Sequence, residues 1–258
     1  MNGQVFPLFE HAQVLRTTML TELRDYAYEY GRLIHEDYSD GIVSGCRITT
    51  TVDTITLHRG VIRYKDNVYL ITEPLSLAYY PTDNWAVFKL KFKDEVRKDG
   101  YIYREVETAL ADNLGLSKEE MELCRFKLQA GARLRMNYVD FADRNTEFDT
   151  VNTIYAPFAA GGASSLSPDI TRAFAREATP YAMDPVDTAF CFQALNARGA
   201  LSREAILLYT ATKLKKAADD WDNLVIFQAL LTILNQIKDN GGRELSRTER
   251  QRRQVIVD

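Results

Sequence analysis

"DYSDGIVSGCRITTTVDTITLHRGVIRYKDNVYLI", residues 37–71, alternates apolar and polar side chains in short runs broken by glycines. A period of two puts successive side chains on opposite faces, so these runs read as short antiparallel strands with one face buried. "GCRITTTVDTITLHRG" divides into two strands joined around Val52 and Asp53, and "VIRYKDNVYLI" into a hairpin turning at Asp66 and Asn67. Gly41, Gly45 and Gly60 stand where the backbone must turn or bulge.

Upstream the period is different. Leu15, Met19, Leu20, Leu23, Tyr26, Ala27 and Tyr30 recur at spacings of three and four, which makes one apolar stripe on a helix over roughly residues 8–30, closed by Gly31. Such a helix either packs across the β-domain or bundles with copies of itself.

Downstream the alternation continues past Pro74 through "LSLAYYP", "WAVFKLKFKDEV" and "YIYREVETAL". In "WAVFKLKFK" the residues Ala86, Phe88, Leu90 and Phe92 alternate with Val87, Lys89, Lys91 and Lys93. That pattern predicts a half-buried strand whose basic face is solvated or protects an edge. Ser117 and Glu120 have the spacing of a capping box that starts a short helix, before a last strand in "LCRFKLQ". Tyr38, Ile42, Tyr64, Tyr69 and Trp85 are expected to build the core of this domain or a contact face.

Beyond Gly131 the pattern turns helical. Ser167 before Pro168, Asp184 before Pro185 with Gly199 beyond, and Ser202 each mark a helix start. "WDNLVIFQALLTILNQIK" is apolar around most of its circumference, so it belongs at the centre of a bundle or an interface. "AAGGASSLS", from Ala159, reads as a surface loop or linker. The expected architecture is therefore α+β: an N-terminal helical segment (1–36), an antiparallel β-domain, barrel or sandwich (37–131), a connecting segment (132–166), a helical bundle (167–240) and a basic tail (241–258).

At 258 residues the chain is long enough for one large or two modest domains, and 46% hydrophobic with 26% charged residues is the balance of a folded soluble protein. A net charge of -4 supplies no global positive field, which disfavours a nucleic-acid reader. No run approaches the roughly 18 apolar residues of a membrane span, and "MNGQVFPLFEHAQVL" lacks a basic stretch followed by an apolar one, so synthesis in the cytoplasm without membrane insertion is expected.

The chemistry-bearing residues form no recognised constellation. Cys46, Cys124 and Cys191 are odd in number and far apart, as buried thiols are. His11, His35 and His58 make no metal spacing, and no P-loop or GxSxG is present, so no cofactor, metal or catalytic residue is expected. Two acid clusters, Glu36, Asp37 and Asp40, then Asp140, Asp143, Glu147 and Asp149, also occupy turn, cap and ion-pair positions, with Arg133, Arg135 and Arg144 beside the second. The tail carries Arg243, Arg247, Arg250, Arg252 and Arg253 before "VIVD". It reads as a solvated tail or as a docking arm that adds a strand to a neighbour while its arginines meet acidic groups.

The runs "LIHEDYSDGIVSGCRI", "ITLHRGVIRYKDNVYLI" and "MELCRFKLQAGARLRMNYVDFADRNTEFDTVNTIYAPFAA" resemble proteins encoded in tail-morphogenesis clusters of Firmicutes prophages and phage-tail-like contractile particles. The similarity spans about residues 8–238 and is most specific over residues 122–152. It implies a non-enzymatic structural part of the baseplate, or one joining baseplate to tail fibres, with other tail proteins or further copies as partners. It also implies residence in a virion or tail-like particle assembled in the bacterial cytoplasm. On that expectation Leu15, Met19 and Leu23 of the first helix, with the five tail arginines, are the candidate partner-binding residues. The alternatives are a receptor- or glycan-binding module at the tail tip and an envelope-degrading hydrolase using the acids of 140–149.

Overall fold

The computed structural model describes residues 5–217 and 220–241. It opens with helix α1 (Thr17–Leu33), followed by strands β1 (Gly41–Gly45), β2 (Ile48–Thr50), β3 (Thr54–Leu57), β4 (Gly60–Tyr64), β5 (Asn67–Ile71) and β6 (Leu75–Ala78). Strands β7 (Trp85–Phe92), β8 (Val96–Lys98), β9 (Tyr101–Tyr103), β10 (Val106–Ala111) and β11 (Glu120–Lys127) complete the β region. After a single 3-10 turn at Ala142–Asn145 come helices α2 (Pro168–Ala178), α3 (Pro185–Asn196), α4 (Arg203–Leu214) and α5 (Asn223–Gly241). The α+β class is as expected.

Three antiparallel sheets, ordered β1-β4-β5, β2-β3-β6 and β10-β7-β11, turn their apolar faces to one core, and β8 and β9 form a separate hairpin. Ile42 and Ile62 from the first sheet, Ile55 and Leu57 from the second, and Phe88, Leu90, Leu123 and Phe126 from the third are all buried there. Tyr64 stacks on Phe92 at 3.8 Å between ring centroids and Tyr69 meets the same ring edge-on at 5.1 Å. Tyr38 and Trp85, expected beside them, stay partly exposed.

Several local expectations change for physical reasons. The β4–β5 turn sits at Lys65 and Asp66, both at positive φ (45° and 63°), rather than at Asp66 and Asn67. Asp40 fixes it there by accepting hydrogen bonds from the Lys65 backbone N–H (3.0 Å) and the Arg63 guanidinium (3.1 Å). Strand β7 is the central strand of its sheet, and the face expected in solvent is covered over its first half, where Val87 is fully buried and Lys89 is 5% exposed. The Lys91 and Lys93 side chains stay 42% and 48% exposed, as expected. Lys89 keeps its charge there by pairing with Glu120 at 2.8 Å. Ser117 and Glu120 do exchange hydrogen bonds, but around a tight turn that launches β11 and not a helix. Helix α1 begins at Thr17, well after residue 8, because Ala12 takes a left-handed φ of 64°, and Gly31 lies inside the helix instead of ending it.

The helical region follows its caps. Ser167 accepts from Asp169 N–H, Asp184 from Val186 and Asp187 N–H, and Ser202 from Ala205 N–H. Gly199 closes nothing, since α3 ends at Asn196. Helix α5 buries Ile226, Phe227, Leu230, Ile233, Leu234 and Ile237 in a second core. Phe141 stacks on Phe227 at 4.6 Å, and Phe174 meets Phe141, Phe190 and Tyr209 edge-on. Such aromatic pairs add roughly 0.5–1.5 kcal/mol each beyond the area they bury.

The segment expected as a surface linker is instead a seam. Ala159, Ala160, Ser165 and Leu166 are buried, and only the tip at Gly161–Ala163 is exposed. Ile42 N–H donates to Pro157 C=O and Ala159 N–H to Ile42 C=O, both at 2.9 Å, while Arg125 and Asn152 exchange backbone bonds at 2.8 and 2.9 Å. The approach is so close that a Cβ on Gly41 would lie 2.6 Å from the Ala159 nitrogen.

Candidate functional site

Where the acids cluster, Asp40 and all four acids of the second cluster have a structural use. Asp40 holds the β4–β5 turn, as above. Asp143 takes a fork from Arg135, two bonds of 2.6 Å, and also accepts from Val139 N–H (2.8 Å) and the Thr146 hydroxyl (2.7 Å). The Arg135 fork holds its carboxyl well below the usual range, against burial pushing the other way. A glycosidase's proton donor needs the opposite shift. Asp140 accepts from Asp143 N–H, Glu147 pairs with Lys127, and Asp149 accepts from Gln129 N–H. Among the described residues no three His, Cys, Asp or Glu come together to hold a metal, and no helix is long and apolar enough to cross a membrane.

The cysteines are all free and buried. Burial pushes Cys46 and Cys191 up to about 12 and Cys124 well above its ordinary value, so none is a ready thiolate. His35 Nδ1 lies 2.9 Å from Gly31 C=O, His58 Nε2 lies 2.7 Å from the Thr49 hydroxyl, and His11 sits in a turn ahead of α1.

The feature that the fold itself does not explain is α1. Its seventeen residues include no buried side chain, its N-cap, Arg16, makes no side-chain capping bond, and its first turn carries no acid. On a helix of 3.6 residues per turn, Met19, Leu20, Leu23, Tyr26, Ala27, Tyr30, Leu33 and Ile34 fall on one continuous stripe. Leu23 is 51% exposed and Leu33 and Ile34 are about as open. Tyr26 stacks on Tyr30, and Phe6 from the leading segment meets Tyr26 edge-on at 5.8 Å.

Of the residues expected to bind partners, Leu23 is exposed on this stripe, Met19 is half-buried on it, and Leu15 is exposed just ahead of the helix. Arg243, Arg247, Arg250, Arg252 and Arg253 lie outside the described residues. Two further apolar surfaces had no signal in the periodicity: Val5, Phe6, Leu8 and Phe9 before α1, and Val96, Tyr101, Ile102 and Tyr103 on the β8–β9 hairpin, whose six strand residues are all exposed. A run too short to alternate does not announce which face is bare.

No family model and no curated protein matches the chain. Among solved structures, it is similar to a chain of the TssK-TssF-TssG baseplate subcomplex of the type VI secretion system, at 8% identity and a TM-score of 0.44, over 93% of this chain and 100% of that one. It is similar also to a crystal structure of TssK, at 10% identity and a TM-score of 0.44, over 91% and 72% of the two chains. A chain of the baseplate complex from the type VI secretion system follows at 11% identity and a TM-score of 0.33, over 92% and 55%. Scores this low assign neither a fold nor a role to this chain.

Proposed function

We propose that this chain is a non-enzymatic structural component of a phage tail or contractile injection particle, in the baseplate or joining baseplate to tail fibres. It works by lasting contact with other tail proteins or with further copies of itself. The observation that carries this reading is α1: an amphipathic helix with an uncapped start and nothing buried is marginal alone and gains its stability on docking. The resemblance of residues 8–238 to tail-cluster proteins supplies the setting.

Magnitudes say how large the contact must be. Each half-exposed Leu, Ile or Tyr of the stripe gains roughly 1 kcal/mol on full burial, so six of them give on the order of 6 kcal/mol. Association costs about 4–15 kcal/mol. The stripe alone is therefore too small, and the exposed Val5–Phe9 stretch, whose Phe6 already meets Tyr26, is adjoining apolar surface that would enlarge the contact. Obligate interfaces of this kind bury more than about 2,000 Å².

The reading is tested by co-expressing the chain with the products of adjacent genes and following amide exchange over residues 17–33. Fast exchange in the free chain that slows in the complex is the expected result; unchanged exchange in a stable complex would remove α1 from the interface. Exposed Tyr101 and Tyr103, with ring centroids 6.2 Å apart, favour a second reading as an envelope-binding module. Sedimentation of the purified chain with bacterial envelopes, lost in Tyr101→Ala/Tyr103→Ala, would select it.

A further inference from the structure

Between the two cores lies a cleft of about 760 Å³, walled by residues 42–50, by residues 134–138 and by the start of α2. Its lining includes six arginines, Arg47, Arg135, Arg144, Arg172, Arg176 and Arg198, and one acid, Asp169. On a chain of net charge -4 this is a local reversal of sign. Two of the six are committed: Arg135 to Asp143, and Arg172 to Asp169 at 3.5 Å and to the Ala197 carbonyl at 2.7 Å. The other four make no ion pair among the described residues, and Arg47, Arg176 and Arg198 are exposed. Arg144 backs onto the Tyr138 ring at 4.3 Å with its buried Nε unpartnered. A half-buried guanidinium without a counter-charge is costly, and an arriving carboxylate offsets that cost.

The same cleft runs along an open sheet edge. Strand β2 is hydrogen-bonded on one side only, to β3. The bonds Thr51 N–H to Thr54 C=O and His58 N–H to Arg47 C=O set the phase of that ladder. Residues 47, 49 and 51 therefore face β3, and Ile48 and Thr50 turn their N–H and C=O groups outward, towards the cleft they line. Neither has a backbone partner on that side among the described residues, and the one bond to the facing wall is from the Thr50 hydroxyl to the Leu134 carbonyl at 3.3 Å. Apolar side chains, Leu123, Leu134, Met136 and Phe158 among them, share the walls with the arginines.

We infer that the cleft receives an extended, acidic segment of a partner protein, which adds a strand to the outer edge of β2 while its carboxylates meet Arg47, Arg144, Arg176 and Arg198. Backbone pairing supplies the register, and alternation of acidic with apolar residues fits the mixed walls. A free edge lined with uncommitted positive charge selects that partner over a neutral strand. The inference does not depend on the role of α1, which lies on a different surface.

The test uses the full chain and a fluorescein-labelled octapeptide of alternating glutamate and valine. The peptide is expected to bind with a dissociation constant below about 100 µM at moderate salt. Binding should fall by about tenfold or more in Arg176→Glu/Arg198→Glu, whose side chains are exposed and leave the cores intact. The amides of Ile48 and Thr50 should become protected from exchange, and N-methylation of alternate peptide amides should abolish binding. No binding up to about 1 mM overturns the inference, as does equal binding of the lysine-for-glutamate peptide or unchanged exchange at Ile48 and Thr50. Tighter binding of an oligothymidylate, or displacement of the peptide by inorganic phosphate at millimolar concentration, overturns it in favour of a nucleic-acid or simple anion site.

Discussion

Arg125 shows how single residues tie the two halves together. Its guanidinium forks onto Glu122 through two bonds of 2.7 Å and lies 3.4 Å from the centre of the Tyr155 ring, while its backbone pairs with Asn152. Glu122 is 3% exposed. Glu122→Ala leaves a half-buried charge uncompensated, and a loss of about 3–5 kcal/mol in urea unfolding is expected. Asp143 gives a pH signature. Its folded carboxyl is depressed, so the stability it contributes is fully present above the unfolded value near pH 4 and is lost as pH falls towards the lower folded value. Asp143→Asn should cost about 1–2 kcal/mol at pH 7, and the gap to the wild type should narrow steadily below about pH 4. Cap residues such as Ser167, Asp184 and Ser202 were legible in the sequence because a cap acts within three residues. The burial of Lys89 was not, because it depends on β10 and β11 flanking β7 from elsewhere in the chain and bringing Glu120 to its side chain.

At the scale of elements, the contrast is between α1 and the other helices. Helices α2, α3 and α4 have side-chain caps and buried faces; α1 has neither. The apolar stripe of α1 was plain in its spacing, whereas its start was not, since nothing local distinguishes residues 8–16 from a helix until Ala12 turns left-handed. Because no side chain of α1 is buried, Leu23→Glu/Tyr30→Glu should leave the stability of the isolated chain unchanged within about 0.5 kcal/mol in urea unfolding. The same double variant should lose its complexes with the products of adjacent genes. A large loss of stability would mean that α1 packs on its own chain.

Taken as a whole, the molecule is two cores joined along residues 151–167. Small residues there suggested a linker, because composition reports flexibility; the same small side chains also let Gly41 and Ala159 backbones meet closely, which only the fold reveals. Cys46 and Cys124 sit in the first core and Cys191 in the second, so their reactivity reports the opening of each. At pH 8 a thiol reagent should modify none of the three in the folded chain and all three after unfolding, at a rate set by unfolding. The central claim, that the chain acts by docking through α1, is met most directly by measuring molar mass. Light scattering over a range of concentrations, alone and with the products of adjacent genes, should show a defined oligomer or co-complex that Leu23→Glu/Tyr30→Glu abolishes. A monomer under every condition, or an identical complex formed by the double variant, would contradict it.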